Sequence, residues 1–381
     1  MRNLVLIVCG ALLLSAQAAP SPVIAHYRAY NAALERGDMA TAESEASQAY
    51  DASLAQDAAG GRTGVLAANL AKIRLHNGHV ADAYVPARQA FDIANGNPAA
   101  DVDPLLATLL LGRAELTEQH AGDGQPRLRA ALEAAKSRPD LGADAYDAAV
   151  QLAQWNAIHE DFGLTPSRQG DLAIAADAWN YAAQFAQYAP GDHQIAQAEA
   201  LLAEGVARFN LFRHDPDAGP SARSRAIDAL TQAAQILAPL AAQRAGTELT
   251  LAQRDYGYAM AWGINSGAAA EHPDAFRFSF GADPNTAAAK YCPTHIVAEP
   301  QPHYPMHAAS IEREGVVILR ILIDDGHATD IRVASAIPGF WFADAVAEVA
   351  PQWRIEPVDD APDDCVMPSV RFQFVRFLLR D

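Results

Sequence analysis

The chain has 381 residues, 50% of them hydrophobic, and its 46 acidic and 28 basic side chains give a formal net charge of -18 at pH 7. A chain of this length is large enough for two or more hydrophobic cores. The negative charge repels phosphate backbones and anionic lipid headgroups, so nucleic-acid binding and membrane-surface binding are disfavoured.

The first residues have the composition of a secretory signal peptide. One arginine precedes an apolar run over residues 4–14, and an A-x-A cleavage motif ends at Ala18. The run is shorter than the ~20 residues that span a bilayer. We therefore predict a signal peptide over residues 1–18, cleavage between Ala18 and Ala19, and a periplasmic mature chain without a membrane span. An uncleaved inner-membrane anchor is the alternative.

Two cysteines remain after removal of the signal peptide, because Cys9 lies within it. In an oxidising compartment the simplest arrangement is a single disulfide between Cys292 and Cys365. Such a bond would tie the start of the C-terminal region to a point just before its last strand. Two separate buried thiols are the alternative.

Residues 19–270 contain almost no strand signals and show a repeated helical pattern. A glycine and a polar residue are followed by alanine at offsets of five, nine and twelve after Gly37, Gly78 and Gly170, except that Trp179 stands nine after Gly170, with a weaker copy after Gly122. Glycine permits the left-handed backbone that ends one helix, and small residues let the next helix pack closely. The pattern therefore predicts pairs of helices joined at these glycines.

This spacing resembles the tetratricopeptide (TPR) family, whose helix-turn-helix units stack into a superhelix. The glycines here are further apart than the family's period of about 34 residues, so the helices or loops are extended. The resemblance implies an α-helical solenoid with a concave face that binds peptides or other proteins. A rigid spacer or an oligomerisation platform is the alternative.

The helical periodicity ends after residue 270, and the pattern changes to that of strands. Residues 271–291 gather prolines and glycine, which predicts a linker. In residues 292–381, apolar side chains alternate on both sides of a turn signal at Asp325-Gly326, and a helix and a last alternating strand follow. This order predicts a small α+β domain with a three-stranded antiparallel sheet.

The motifs of this region resemble, in order and spacing, the C-terminal domain of TonB, the periplasmic energy transducer. The resemblance covers residues 300–379. The residues that carry it are Pro302-His-Tyr304-Pro305, Glu314-Gly315, Asp325-Gly326, Ser335-Ala336-x-Pro338, Phe342 and Trp353-Arg354-x-Glu356-Pro357. The resemblance implies that Trp353 fills the core beneath the sheet and that Pro357 ends strand pairing.

The resemblance also implies recognition by strand addition, in which an extended segment of a partner pairs with an exposed sheet edge. In the TonB family the final strand offers that edge. The partner is then a protein or peptide of the cell envelope, with an outer-membrane receptor as one candidate. Coverage of the edge by the helical array or by a second copy of the domain is the alternative. The candidate edge residues are Ser369, Arg371, Gln373 and Val375.

Three features distinguish this chain from an energy transducer. A cleaved signal peptide leaves no helix to couple to a motor in the membrane, no proline-rich spacer crosses the periplasm, and a helical array stands in their place. In addition, Val316, Ile318 and Leu322 make the second face of the first strand apolar, and a sheet with two apolar faces is usually covered on both. We expect the helical array or a partner to cover that face.

The sequence carries no recognisable catalytic, cofactor-binding or metal-binding motif. His303 and His307 have the spacing of two metal ligands on a helix, but no third ligand stands at a known offset. We therefore predict a periplasmic adaptor that is not an enzyme and needs no cofactor. The alternatives are a membrane-anchored TonB-type energy transducer for outer-membrane transport and an envelope hydrolase with an unrecognised site in the array.

Overall fold

The computed structural model describes residues 21–97, 100–117, 119–161, 168–214, 219–241, 250–276, 294–298, 300–310, 315–324, 327–337, 340–357 and 370–377. The helices are α1 (Pro22–Glu35), α2 (Met39–Leu54), α3 (Gly61–His76), α4 (Val80–Gly96), α5 (Pro104–Ala114), α6 (Ala121–Ala135), α7 (Gly142–Asp161), α8 (Arg168–Phe185), α9 (His193–His214), α10 (Gly219–Ala241), α11 (Leu251–Ser266), α12 (Ala268–Glu271), α13 (Met306–Ser310) and α14 (Phe340–Val349). The strands are β1 (Thr294–Ala298), β2 (Gly315–Asp324), β3 (His327–Ile337), β4 (Arg354–Pro357) and β5 (Val370–Phe377).

The chain forms two compact units, which do not divide it at the predicted linker. One comprises residues 1–156 and 184–191, and the other comprises residues 157–183 and 192–381. A helical region is followed by a small three-stranded antiparallel sheet, so the predicted fold class is confirmed. The assignment of the helical region to a TPR-like solenoid stays a prediction, as do the domain boundaries.

Two of the predicted helix joints have the expected backbone. Gly37 and Gly78 have φ angles of 71° and 82°, and they separate α1 from α2 and α3 from α4. Asp38 caps α2 by accepting a hydrogen bond from the Thr41 amide at 3.1 Å. The small residues that follow these glycines are buried in the interfaces between consecutive helices. They are Ala42, Ala46, Ala49, Ala83, Ala87 and Ala90.

The other two glycines do not lie at joints. Gly122 lies within the first turn of α6 and Gly170 within the first turn of α8. In α6 the buried alanines are Ala131 and Ala135, whereas Ala134, which the pattern assigned to the interface, is exposed. Both glycines lie near the N-terminus of helices that become alanine-rich further along the chain, although a glycine inside a helix costs it about 1 kcal/mol.

Because Gly78 lies at a joint and Gly122 lies inside a helix, a pair of substitutions can test which glycine needs the left-handed backbone. Replacing Gly78 by alanine is expected to destabilise the chain by about 1–2 kcal/mol, because a Cβ is disfavoured in the left-handed region. A Cβ at Gly78 or at Gly122 would meet no atom within 4 Å, so neither change adds a clash. Gly122→Ala is therefore expected to stabilise by about 0.5–1 kcal/mol. Urea unfolding measures both, and effects of the same sign would contradict the assignment.

The second unit contains the C-terminal strands. β2 lies in the centre of the three-stranded sheet, in the order β3-β2-β5, and both pairings are antiparallel. This confirms the predicted hairpin and the final strand. A separate two-stranded ladder joins β1 to β4, with Thr294 opposite Pro357, and this ladder was not predicted. Its strands are too short to show an alternating pattern in the sequence.

One face of the sheet packs on α14. Side chains at alternate positions of β2 enter one hydrophobic core with α14 and β5, as the pleat of a strand requires. Gly315 is needed at the start of β2, because a Cβ there would meet the ring of Phe342. The core residues are Ala308, Val317, Leu319, Ile321, Phe342, Val346, Ala350, Trp353, Val375 and Phe377.

The opposite face of the sheet is covered by a helix of the array. Val316 and Ile318 point away from the α14 core, yet both are fully buried. The helix α11 contacts both β2 and β5. Of the two expected coverings, the helical array or a partner, the structure shows a helix of the array, α11, against β2 and β5.

The segment that leads away from α11 is packed against it. Tyr256 donates a hydrogen bond from its hydroxyl to the carbonyl of Ala275 at 3.0 Å, and the ring of Phe276 lies where a Cβ on Gly263 would be. The first residues of the predicted linker therefore belong to the packed structure, and residues 277–291 lie outside the described part of the chain.

Candidate partner-binding site

The candidate site is the outer edge of β5. Among the described residues no strand pairs with β5 on the side away from β2, whereas β3, at the other edge of the sheet, contacts β4. The register against β2 runs from Gly315 opposite Phe377 to Leu322 opposite Val370. A strand at an edge presents backbone N–H and C=O groups at alternate residues, and these groups can pair with another chain.

Aromatic packing fixes the C-terminal half of β5. Phe377 is buried and lies 4.8 Å from the ring of Phe342 and 5.8 Å from the ring of Tyr304, measured between centroids. Tyr304 and Phe342 are themselves in edge contact at 5.9 Å. Because these contacts order β5 in its place, an added strand would meet a preformed edge.

The four predicted edge residues lie in different surroundings. The side chain of Val375 is only 7% exposed and belongs to the core under α14, and Gln373 is half-buried on the same face. Ser369 and the side chain of Arg371 lie outside the described residues. The side chain of Val375 is therefore not available to a partner at the edge. The other predicted positions, Ala18, Ala19, Cys292 and Cys365, also lie outside the described residues.

The sequence pattern missed one exposed side chain on β5. Arg376 is exposed and lies opposite Val316, on the face that α11 contacts. Each set of alternating side chains on β5 contains apolar residues, with Val375 and Phe377 in the set that faces the core, so alternation alone could not tell which set faces the core. Among the described side chains of β5, the one that carries a charge is Arg376, which is basic.

Comparison with known families agrees with this arrangement. Residues 300–375 match the family model described as the Gram-negative bacterial TonB protein C-terminal. Residues 300–375 are a TonB C-terminal domain. No curated protein matched the chain. The TonB C-terminal domain is a protein-interaction domain of the Gram-negative envelope, so the chain has an envelope role that involves protein partners.

Trp353 holds the TonB C-terminal domain together as the sequence predicted. Its side chain is 3% exposed within the α14 core, and its indole N–H donates to the carbonyl of Pro300 at 3.2 Å. The chain then enters β4, which ends at Pro357. Trp353 therefore ties the start of the matched segment, at Pro300, to the α14 core.

A concave surface lies in the unit that contains α1 to α6, between α2 and the turn that joins α3 to α4. It is an open depression of about 730 Å³. Glu43 within it accepts a hydrogen bond from the side-chain amide of Asn77 at 2.7 Å and lies 2.9 Å from Nδ1 of His79. Burial raises the pKa of Glu43, but these hydrogen bonds outweigh it and hold the pKa below its usual value. The lining residues are Ala40, Glu43, Ser44, Ser47, Gln48, Arg74, Asn77 and His79.

None of the described helices combines the length and the hydropathy that a membrane span needs. The described side chains bring together no group of three or more histidine, cysteine, aspartate or glutamate residues that could hold a metal ion.

Proposed function

We propose that the chain is a periplasmic adaptor that binds an extended segment of an envelope protein by strand addition to β5. The observation that carries this proposal is the position of β5 at the edge of the sheet in a TonB C-terminal domain. In strand addition the backbone of the partner supplies hydrogen bonds along the whole edge, and pockets for alternate side chains supply selectivity.

The surroundings of β5 limit what such a partner can present. An added strand would direct alternate side chains towards the α14 side and the α11 side, because successive residues of a strand point to opposite faces. On the α11 side the exposed guanidinium of Arg376 would lie next to the partner. Side chains directly opposite on neighbouring strands lie about 4.5–5.5 Å apart, close enough for a hydrogen bond to a polar group.

The helical array supplies a second surface for another partner. The depression beside α2 contains a half-buried cluster of polar groups, in which Glu43 contacts Asn77 and His79. Hydroxyl and amide groups of Ser44, Ser47 and Gln48 line it and can donate or accept hydrogen bonds. These groups suit the backbone of a peptide, and we propose this surface as the place where the array binds a second partner.

The first proposal is tested with a photoreactive amino acid placed at Arg376 on β5 and, as a matched control, at Arg332 on β3. Both positions are exposed on strands of the same sheet. In Gram-negative cells, the β5 probe is expected to crosslink to one defined segment of an envelope protein, and the β3 probe is not. A synthetic peptide of that segment should compete with the crosslink.

The same peptide, methylated on alternate backbone nitrogens, separates strand addition from side-chain docking. Methylation removes the N–H groups that a paired strand must donate, so a peptide methylated on the bonding residues should fail to compete. Equal competition by both peptides, or equal crosslinking from the two probes, would overturn the proposal. N-terminal sequencing of the same material gives the location, since a chain that begins at Ala19 excludes the anchored transducer.

A further inference from the structure

A buried carboxyl group on α11 has one oxygen without a hydrogen-bond donor. Asp255 is 2% exposed, and its Oδ1 accepts a hydrogen bond from Nε of Arg254 at 2.7 Å. Its Oδ2 is buried and has no donor among the described groups. A buried carboxylate oxygen that lacks a donor costs free energy, so this position calls for a proton from a neighbouring group.

Glu199 on α9 is in place to supply that proton. Arg254 also donates to Oε1 of Glu199, at 3.2 Å, so a single guanidinium serves both carboxyl groups. The side chains of Glu199 and Asp255 lie within hydrogen-bonding reach of each other. Two carboxylates cannot both be ionised beside one positive charge without repulsion, whereas a protonated Glu199 can donate to Asp255.

The ionisation of the pair agrees with this geometry. Burial, followed by the charge of Asp255, raises the pKa of Glu199 to about 7. Burial also raises the pKa of Asp255, while Arg254 opposes that shift. Tyr258, one turn along α11, interacts with Arg254, and no described group on α10, β2 or β5 shifts either pKa.

We propose that Glu199 and Asp255 form a proton-dependent latch that holds α11 against α9. When Glu199 carries the proton, it bonds the two helices; when it loses the proton, two carboxylates face each other across the same contact. Because α11 also contacts β2 and β5, the latch controls the support of the sheet face that carries Val316 and Ile318. Nothing in the latch depends on the proposed partner, which affects only its consequence for binding at β5.

The sign of the pH dependence follows from proton linkage. In the unfolded chain Glu199 has an ordinary pKa, so between that value and about pH 7 the folded chain holds one more proton than the unfolded chain. The stability that the latch contributes is complete at acidic pH and is lost as the pH rises to about 7. One extra proton changes the folding equilibrium constant by up to about tenfold for each pH unit in this window.

The test compares the mature chain with Glu199→Gln by urea unfolding from about pH 5.5 to about pH 8.5. The amide of the variant can donate to Asp255 at every pH, so the variant is expected to lack the loss of stability that the unchanged chain shows as the pH rises to about 7. Glu271→Gln is the matched control, because its side chain is 49% exposed, against 44% for Glu199, and it also bonds one arginine. The control should keep the original pH profile. A Glu199→Gln profile that matches that of the unchanged chain would overturn the proposal.

A second measurement needs no variant and applies even if Glu199→Gln fails to fold. Hydrogen exchange of the unchanged chain at about pH 6 and about pH 8, corrected for base catalysis, reports the local opening of each helix. The amides of α11 are expected to lose several-fold protection at the higher pH, while those of α3 in the other unit keep theirs. Unchanged protection of α11 would overturn the latch, and neither measurement involves a partner.

Discussion

Trp353→Ala is expected to destabilise the TonB C-terminal domain by about 3–5 kcal/mol, the range for deleting a large aromatic side chain from a core. The indole is 3% exposed and packs in the core with Phe342 and Val346. Its loss would leave a cavity and would also remove the hydrogen bond to Pro300. Since a whole domain is stable by only about 5–15 kcal/mol, this change removes a large part of the total.

The effect is measured by denaturant unfolding, with tertiary structure followed by near-ultraviolet circular dichroism. Trp353→Phe is the matched control, because it keeps an aromatic ring in the core and removes the indole N–H. We expect the control to lose about 1–2 kcal/mol, mainly from the unpaired carbonyl of Pro300. An alanine variant that is no less stable than the phenylalanine variant would show that the core does not depend on the indole.

Ile318→Ala is expected to cost about 2–5 kcal/mol, as much as Leu319→Ala at the next position of β2. The two residues point to opposite faces of the sheet and both are fully buried, Leu319 in the α14 core and Ile318 on the face that α11 contacts. In a sheet covered on one face only, the change at Ile318 would lie at the surface and stay within about 0.5 kcal/mol.

The comparison is made by urea unfolding of the two variants in the full chain. Leu319→Ala serves as the internal control, since α14 covers its face in any domain of this architecture. Comparable losses would confirm that the array completes the domain. A large loss at Leu319 together with a negligible loss at Ile318 would contradict the role assigned to α11.

The order of elements in the C-terminal domain was predictable because several independent local signals agree. A turn signal separates two alternating runs, which predicts the hairpin. Phe342 and Trp353 stand at the start and just beyond the end of α14, and all these signals fit the same topology. The ladder between β1 and β4 was not predictable, since its pairing joins residues about sixty positions apart through backbone groups that leave no pattern in the sequence.

The joints of the helical array were predicted in part for a similar reason. Gly37 and Gly78 need left-handed backbone, which the sequence signals by glycine alone, but Gly122 and Gly170 carry the same signal inside helices. The surrounding sequence and tertiary packing decide between the two outcomes, and neither is visible in a single residue. Offsets of small residues therefore identify a helix face more reliably than they identify where that helix begins.

The sequence predicted that β5 is a strand, but it did not predict which of its side chains face the core. Alternation along β5 defines two sets of residues, and both sets contain apolar side chains because both faces of the sheet are covered. Val375 therefore fits either face in the sequence, and only the structure assigns it to the core and leaves Arg376 at the surface. The pair of Glu199 and Asp255 was not predictable, because its residues come from two helices and belong to no motif.

The contact between α11 and the sheet limits how this domain can be transferred to another protein by gene fusion. Sequence similarity begins at residue 300, but the second wall of the sheet is encoded upstream, in α11. A gene rearrangement that moved residues 300–375 alone would expose Val316 and Ile318, and the resulting protein would be prone to aggregation. The portable genetic module of this chain is therefore longer than its region of family similarity, and α11 would have to travel with the sheet in any fusion that keeps its function.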